Sequence, residues 1–426
     1  MNLANKVLIG LLLGVAVGLG LNISGLNVVP WIDENLINGV FHVGGKLFIN
    51  GLKMVVVPLV LFSLIPGIVG IGDIKLLGRI GTKSFALYLA TTAIAITTAI
   101  AIAVATGIGK GLTITQTESF TGERSAKSFQ DILIDIVPSN IFQSMASSDM
   151  LAIIFFAIFF GIALLSMIKK APLVVDLIDQ LNVVVMQMVN MVMWFAPYAV
   201  FCLVAKAISE LGFDLVVKVG EYFVVIIFAL LFHALVTQMI ILKAFTGLDI
   251  KTFLRKVRTA QLFAFSTSSS GATIPVTLRT AQERLGIDKA VSSFSVPFGA
   301  TINMDGTAMM QGVVTVFVAN LYGIELGLAG YITVILTAVL ASVGTAAVPS
   351  VGLVMLTLVF EQVNLPVEAI GIVYGVDRLV DMVRTSVNVT GDLVVSTIVA
   401  KSEDRMDLDI YNDPSAGMIE DSPVHV

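Results

Sequence analysis

Residues 266–275 read Ser-Thr-Ser-Ser-Ser-Gly-Ala-Thr-Ile-Pro, and residues 341–349 read Ala-Ser-Val-Gly-Thr-Ala-Ala-Val-Pro. Both are runs of small and polar side chains inside an otherwise apolar third of the chain. A lipid-facing helix has no use for them, because the backbone groups they free find no partner in hydrocarbon. Broken or re-entrant segments lining a polar cavity do use them. Each run ends in proline, Pro275 or Pro349, and each is followed by an Asn-x-x-Gly element, Asn303 to Gly306 and Asn388 to Gly391. The order hairpin, broken span, hairpin, span therefore occupies residues 247–402. Broken backbone is expected at both Asn-x-x-Gly elements.

The rest of the chain agrees with a membrane setting. Of 426 residues, 57% are hydrophobic and only 13% charged, and the mean hydropathy is +0.96, too little polar surface for a soluble globular protein. A net charge of -5 leaves no basic patch for nucleic acid. One cysteine, Cys202, excludes a disulfide framework or a cysteine metal cluster, and His42, His233 and His425 are poor material for a metal site. Apolar spans fall near 5–22, 46–72, 83–107, 150–168, 182–206 and 219–243. The first follows Lys6 without a clean cleavage pattern and reads as a retained transmembrane helix.

Positive charges give the orientation. Lys75, Arg79 and Lys83, then Lys169 and Lys170, then Lys243, Lys251, Arg255, Lys256 and Arg258 occupy alternate connections, which become cytoplasmic if the N-terminus is. Arg279, Arg284 and Lys289 bring the first hairpin back to the same side. Residues 290–377 hold no Lys or Arg, and Lys401 and Arg405 place the C-terminus inside. The expectation is an all-α integral membrane protein of eight transmembrane helices plus two opposed re-entrant hairpins, as inverted repeats, in the cell membrane. Residues 108–135 read as an extracellular connection and 403–426 as a disordered tail. The methionine run from Met186 to Met193 reads as packing, since no His or Cys accompanies it.

Charges at membrane depth are costly and mark function. In the last span Asp377, Asp381, Arg384, Asn388 and Asp392 are spaced so that, at about 100° per residue, they share an arc of about 80°. Asp305 is the remaining deep acid. Asp377 with Arg378 has the look of a structural ion pair. Elsewhere one Arg among several Asp leaves surplus negative charge, which demands cations. Side-chain amides and freed carbonyls at Asn303 and Asn388 are hard oxygen ligands that suit sodium and not a transition metal. Arg384 offers a bidentate fork for a carboxylate and Asp381 a partner for an ammonium. A second carboxylate would meet hydroxyls and amides at the Ser-rich tip, so the substrate reads as an acidic amino acid.

At these residues the chain resembles the glutamate transporter family of dicarboxylate/amino acid:cation symporters. The resemblance spans nearly the whole sequence and is carried by Ser268-Ser-Ser270, Gly299 through Thr307 (GATINMDGT) and Asp377 through Asp392 (DRLVDMVRTSVNVTGD). It implies a homotrimer in the lipid bilayer, each protomer an elevator with a static scaffold, a moving transport domain and two hairpin gates. By the same resemblance residues 1–72 and 136–208 are scaffold, and 73–135 hold the third span, of the transport domain, and the polar linker. Residues 209–246 and 247–402 complete the transport domain, and 403–426 form the tail. For the substrate the resemblance implies Arg384 at the side-chain carboxylate and Asp381 at the amine. Thr307, Thr385, Asn388, the Ser268, Ser269 and Ser270 backbone and the stretch from Val348 to Gly352 complete that site. It further implies three sodium ions per protomer. The first lies at Gly299, Asn303, Asn388 and Asp392, the second at Thr301, Met304, Ser342, Val343 and Thr345, and the third at Tyr88, Thr91, Thr92, Asn303 and Asp305.

Two departures stand out. Thr267 and Met382 occupy the positions where members of the family place a further arginine, which implies less cationic compensation for Asp381. Ala347 and Ser350-Val351 replace residues usual at the outer tip of archaeal members, which bears on the flexibility of that gate. Rival readings are a proton-coupled C4-dicarboxylate carrier of the same fold, for which Asp381 would have no amine to pair, an anion channel, which the surplus of buried acids disfavours, and an intramembrane aspartyl protease. The protease would want Gly-x-Gly-Asp, and Val389 stands where its first glycine should be.

Overall fold

The structure, a computed structural model, describes residues 3–69, 77–112, 134, 137–147, 150–342 and 351–417. Among them no strand forms; the only β-type pairing is an isolated bridge between Ile287 and Met406. The first helix, α1 (Leu3–Ile23), lies along a later one because Gly10, Gly14 and Gly18 recur every fourth residue. A Cβ on Gly14 would come within 2.9 Å of the Phe201 carbonyl oxygen, and one on Gly18 within 2.8 Å of that of Ala205. Small residues let the two backbones approach where lipid gives no hydrophobic drive for association. After a π-helical stretch (Asp33–Phe41) come α2 (His42–Val69) and α3 (Leu77–Thr106).

Next are α4 (Met150–Ser166), α5 (Pro172–Trp194) and α6 (Ala196–Leu211). The single span expected over 182–206 is thus two helices meeting at Phe195, because Pro197 has no N–H to continue the ladder to the carbonyl of residue 193. The sixth span is α7 (Phe213–Phe232) and α8 (Gln238–Thr246), joined without interruption by one π-helical turn, His233–Thr237. Its outer face keeps Val224, Phe228, Leu231 and Leu235 exposed, a continuous apolar stripe of the kind that faces lipid.

The first hairpin forms as α9 (Ile250–Thr267) and α10 (Ser270–Arg279). Ser268 at its tip takes a left-handed φ of 51°, and the Ser269 side chain caps α10 by accepting from the Ala272 N–H at 3.2 Å. The broken span follows as α11 (Lys289–Ile302) and α12 (Asp305–Leu321). The residues between them are non-helical, Asn303 at φ -87°, ψ 84° and Met304 at φ -111°, ψ 49°. The second small-residue run lies between α13 (Gly327–Ser342) and α14 (Val351–Gln362), which pack on each other. Its tip, with Val343, Thr345, Ala347, Val348 and Ser350, is outside the described residues, as is most of the 108–135 connection.

The last span, α15 (Ile370–Ser402), corrects one expectation: it runs as an unbroken helix of 33 residues through Asn388–Asp392. The tail is a second correction. Residues 403–412 are ordered against the base of the first hairpin, where the buried Lys256 donates to the carbonyls of Arg284 and Ile410, both at 2.6 Å. The Tyr411 hydroxyl donates to the Asp249 carbonyl at 2.8 Å. A short sequence of charged residues is held there by main-chain acceptors that composition does not reveal.

Two packing sets emerge. Helices α1, α2, α4, α5 and α6 pack on one another, and α3 and α7 to α15 form a second set centred on α15, which contacts α3, α7 to α12 and α14. The sets meet where α15 touches α1 and α6, α7 touches α6, α11 and α14 touch α2, and α13 touches α4.

Candidate functional site

The polar stripe of α15 is buried: Asp377, Asp381, Arg384, Thr385, Asn388 and Asp392 all lie within the protein. Arg384 is the largest side chain so buried, at 2% exposure. Its Nη2 and Nε donate to Asp381 Oδ1 at 2.6 and 3.1 Å, while its Nη1 lies 3.5 Å from Asp377 Oδ1 outside hydrogen-bonding geometry. The guanidinium therefore sits between two carboxylates with one nitrogen, Nη1, lacking a hydrogen-bond acceptor among the described residues. Asp377 thus faces Arg384 and not Arg378, contrary to the pairing that adjacency suggests. Arg378 instead brings Nη1 to 3.8 Å from Asp381 Oδ2. Asp381 accordingly has two cations beside it, which answers the missing arginine at Thr267 and Met382. Gly352, from α14, closes over this group; a Cβ there would lie 2.6 Å from Arg384 Nη1.

A second cluster forms one turn further along α15, against the break between α11 and α12. The break turns the Asn303 side chain inward, where Nδ2 donates to Asp392 Oδ1 at 2.9 Å and to the Asn388 carbonyl at 3.2 Å. Its Oδ1 is buried with no hydrogen-bond partner among the described residues. Asn388 Oδ1 accepts from the Gly306 N–H at 2.8 Å, and its amide reaches Met304 Sδ at 3.3 Å. Gly299 admits this approach, since a Cβ there would meet Asp392 Oδ1 at 2.5 Å and the Tyr88 hydroxyl at 2.6 Å. Tyr88, Thr91 and Thr92 come from α3: the Tyr88 hydroxyl donates to the Ser295 carbonyl at 2.9 Å, and Thr92 and Thr91 donate to Asp305 Oδ1 at 2.7 and 3.4 Å.

The residues named for the first and third sodium sites thus share one buried cluster. Its donor set is two carboxylates, amide and hydroxyl oxygens and an orphaned amide oxygen. Among the described residues no three His, Cys, Asp or Glu side chains converge on one point. Hard, mostly neutral oxygens with a little negative charge suit an alkali cation. For the second site, Thr301, Met304 and Ser342 are described, but Thr301 and Ser342 spend their hydroxyls on their own helices, at Phe298 (2.9 Å) and Val339 (2.7 Å). Thr385 likewise bonds the Asp381 carbonyl at 2.7 Å, and Thr307 is buried beside Met304. At the first tip Ser268, Ser269 and Ser270 are buried, and Ser268 Oγ has no hydrogen-bond partner among the described residues.

Sequence reasoning passed over His233 and Gln238. Both are fully buried, and both reach Asp305 Oδ2, at 3.1 and 3.3 Å. A histidine and a glutamine within one apolar span were the available signal.

The sodium:dicarboxylate symporter family model matches residues 3–402. The chain is 33% identical to the proton/glutamate-aspartate symporter of Escherichia coli (strain K12), over 95% of this chain and 94% of that protein. It is 32% identical to the proton/sodium-glutamate symport protein of Bacillus subtilis (strain 168), over 94% of this chain and 92% of that one. Human excitatory amino acid transporter 2 is 34% identical, over 84% of this chain and 73% of its own length. With the match running from α1 to the end of α15, and the acids, amides and arginine of the stripe gathered where α15 meets the broken span, the chain belongs to the sodium:dicarboxylate symporter family, whose members are membrane transporters and not enzymes.

Proposed function

We propose that this protein is a sodium-coupled symporter of aspartate or glutamate. The carrying observation is that Arg384, buried between Asp377 and Asp381, has no hydrogen-bond acceptor for Nη1 among the described residues, only the Asp377 carboxylate 3.5 Å away. An incoming side-chain carboxylate takes that nitrogen, and the substrate ammonium takes Asp381 in place of part of the Arg384 contact. A ligand with both groups exchanges one buried ion pair for two. A diacid offers nothing to Asp381. Sodium is cargo here: Asp392, Asp305 and the orphaned Asn303 oxygen attract it, and its charge offsets the field that would repel an anionic substrate. We assign it three ions per protomer, the second completed by Val343 and Thr345 beyond the described residues.

The two packing sets support an elevator, with α1, α2 and α4 to α6 as a static trimeric scaffold and α3 with α7 to α15 as the moving part. Exposed apolar residues on α4 and α5, such as Phe159, Ile162, Leu177 and Val184, supply surface for contacts between protomers and with lipid. Because the Escherichia coli relative is named for protons, the coupling ion is the point to test. Uptake of radiolabelled aspartate, glutamate and succinate into proteoliposomes, with sodium, potassium or proton gradients imposed separately, checks both parts. Sodium-driven uptake of the two amino acids but not succinate is expected. Undiminished uptake with choline in place of sodium would overturn the ion assignment.

A further inference from the structure

The sixth span departs from α-helical geometry at one place, the π turn from His233 to Thr237. In a regular helix His233 and Gln238, five positions apart, would point about 140° from each other at about 100° per residue. A π turn, whose bonds run from i to i+5, stacks them instead. The result is that His233 Nε2 and Gln238 Nε2 meet the same atom, Asp305 Oδ2, at 3.1 and 3.3 Å. The other oxygen, Oδ1, is held by Thr92 and Thr91. Gln238 is itself steadied by a 3.3 Å bond to the Val387 carbonyl on α15. Gly391 leaves the room: a Cβ there would lie 2.9 Å from Gln238 Nε2 and 3.3 Å from Asp305 Oδ2.

We infer that His233 is a positioning residue for cation binding, which through its Nε2 bond to Asp305 Oδ2 fixes the rotation of the carboxylate that faces the ion. An ionised carboxylate only accepts, so the ring nitrogen facing it is the donor. Among the described residues His233 Nδ1 has no hydrogen-bond partner, which a bare acceptor nitrogen tolerates better than a buried N–H would. The π turn is then not a local irregularity. It is what places two donors from one helix on one oxygen, Oδ2, and so sets the rotation of a carboxylate whose Oδ1 lies among the α3 hydroxyls. Partners of this kind orient a ligating group without touching the ion, and their loss typically weakens ion affinity by about 10- to 100-fold.

The inference rests on the sodium-coupled reading, and the experiment separates the two. Sodium half-saturation is measured in detergent from sodium-dependent thermal stabilisation and from calorimetric aspartate affinity at several sodium concentrations, for the parent, His233→Gln, His233→Asn and His233→Leu. A glutamine amide nitrogen reaches the depth of imidazole Nε2, an asparagine one only that of Nδ1. The expected result is a sodium half-saturation raised about tenfold or more in His233→Asn and His233→Leu and largely restored in His233→Gln, with aspartate affinity at saturating sodium close to the parent. A role in packing alone predicts equal loss of melting temperature with sodium or choline and no such rescue, and would overturn the inference. A parent indifferent to sodium would overturn the sodium reading itself. If His233→Leu does not fold, Gln238→Leu, which removes the other donor to Oδ2, must shift sodium half-saturation in the same direction, and an unshifted value counts against the inference.

Discussion

The two Asn-x-x-Gly elements share their first and last residues and fold differently. At Asn303–Gly306 the helix breaks, leaving Asn303 and Met304 non-helical between α11 and α12. At Asn388–Gly391 the helix continues, and α15 runs through to Ser402. Each glycine admits a neighbour, but a different one. Gly306 lies against the backbone of Arg384, where a Cβ would be 2.8 Å from the carbonyl oxygen, and Gly391 lies against Asn303 Nδ2 at 2.6 Å. One broken element pressed on one intact helix is enough to make the pocket, since the break frees polar groups while the helix presents a fixed stripe of charge. Two facing breaks would leave more buried backbone to satisfy than the site has partners for.

If the intact helix carries the substrate charge, changes on it outrank changes at the break. Arg384→Thr should cause the largest loss, about 3 to 5 kcal/mol in aspartate binding, because a substrate carboxylate and two buried aspartates lose their shared partner. Calorimetry at saturating sodium checks it, and an affinity within threefold of the parent would remove Arg384 from the substrate site. Asp392→Asn should come next, raising sodium half-saturation by about tenfold or more, since the carboxylate supplies charge that offsets cation dehydration. Sodium titration of uptake reads this directly, and an unchanged curve would assign Asp392 to structure alone.

The two glycines sharpen the comparison. Adding a methyl at either overpacks a close contact, at about 1 to 3 kcal/mol. Gly391→Ala presses on Asn303 and Gln238 and should shift sodium half-saturation. Gly306→Ala presses on Arg384 and should weaken aspartate at saturating sodium. Identical profiles for the pair would mean that the elements do not divide the labour. The smallest effect concerns the C-terminal end of α15, where Glu403 accepts from Arg79 and pairs with Lys83 at 2.5 Å. Hydrogen bonds from Arg79, then Lys83, hold its carboxyl below the usual range. A depressed folded value means that this contribution is present at neutral pH and is lost as pH falls through it. Glu403→Gln should therefore lower the melting temperature slightly at neutral pH and flatten its decline toward acid, an effect limited by exposure to solvent.

Composition and pattern alone determined the membrane class, the hairpin with Ser268 at its tip, the break at Asn303 and the charged stripe from Asp377 to Asp392. Each is a local conflict with hydrocarbon, and such conflicts are visible wherever a polar or small residue interrupts an apolar run. What only the tertiary structure decided was partnership. Asp377 faces Arg384 two turns along α15, while Arg378 turns to Asp381, a choice between two nearby arginines that the order of residues does not make. The Asn388 carbonyl of the unbroken α15 meets the Asn303 side chain that the break between α11 and α12 delivers, and order in residues 403–412 depends on Lys256 and Asp249 across the chain. The place of His233 depends on a π turn, which sets two donors of one span on a single carboxylate of another. A hydrogen bond between side chains far apart in the chain leaves no period in the sequence, so the stripe could be read in one dimension and its partners only in three.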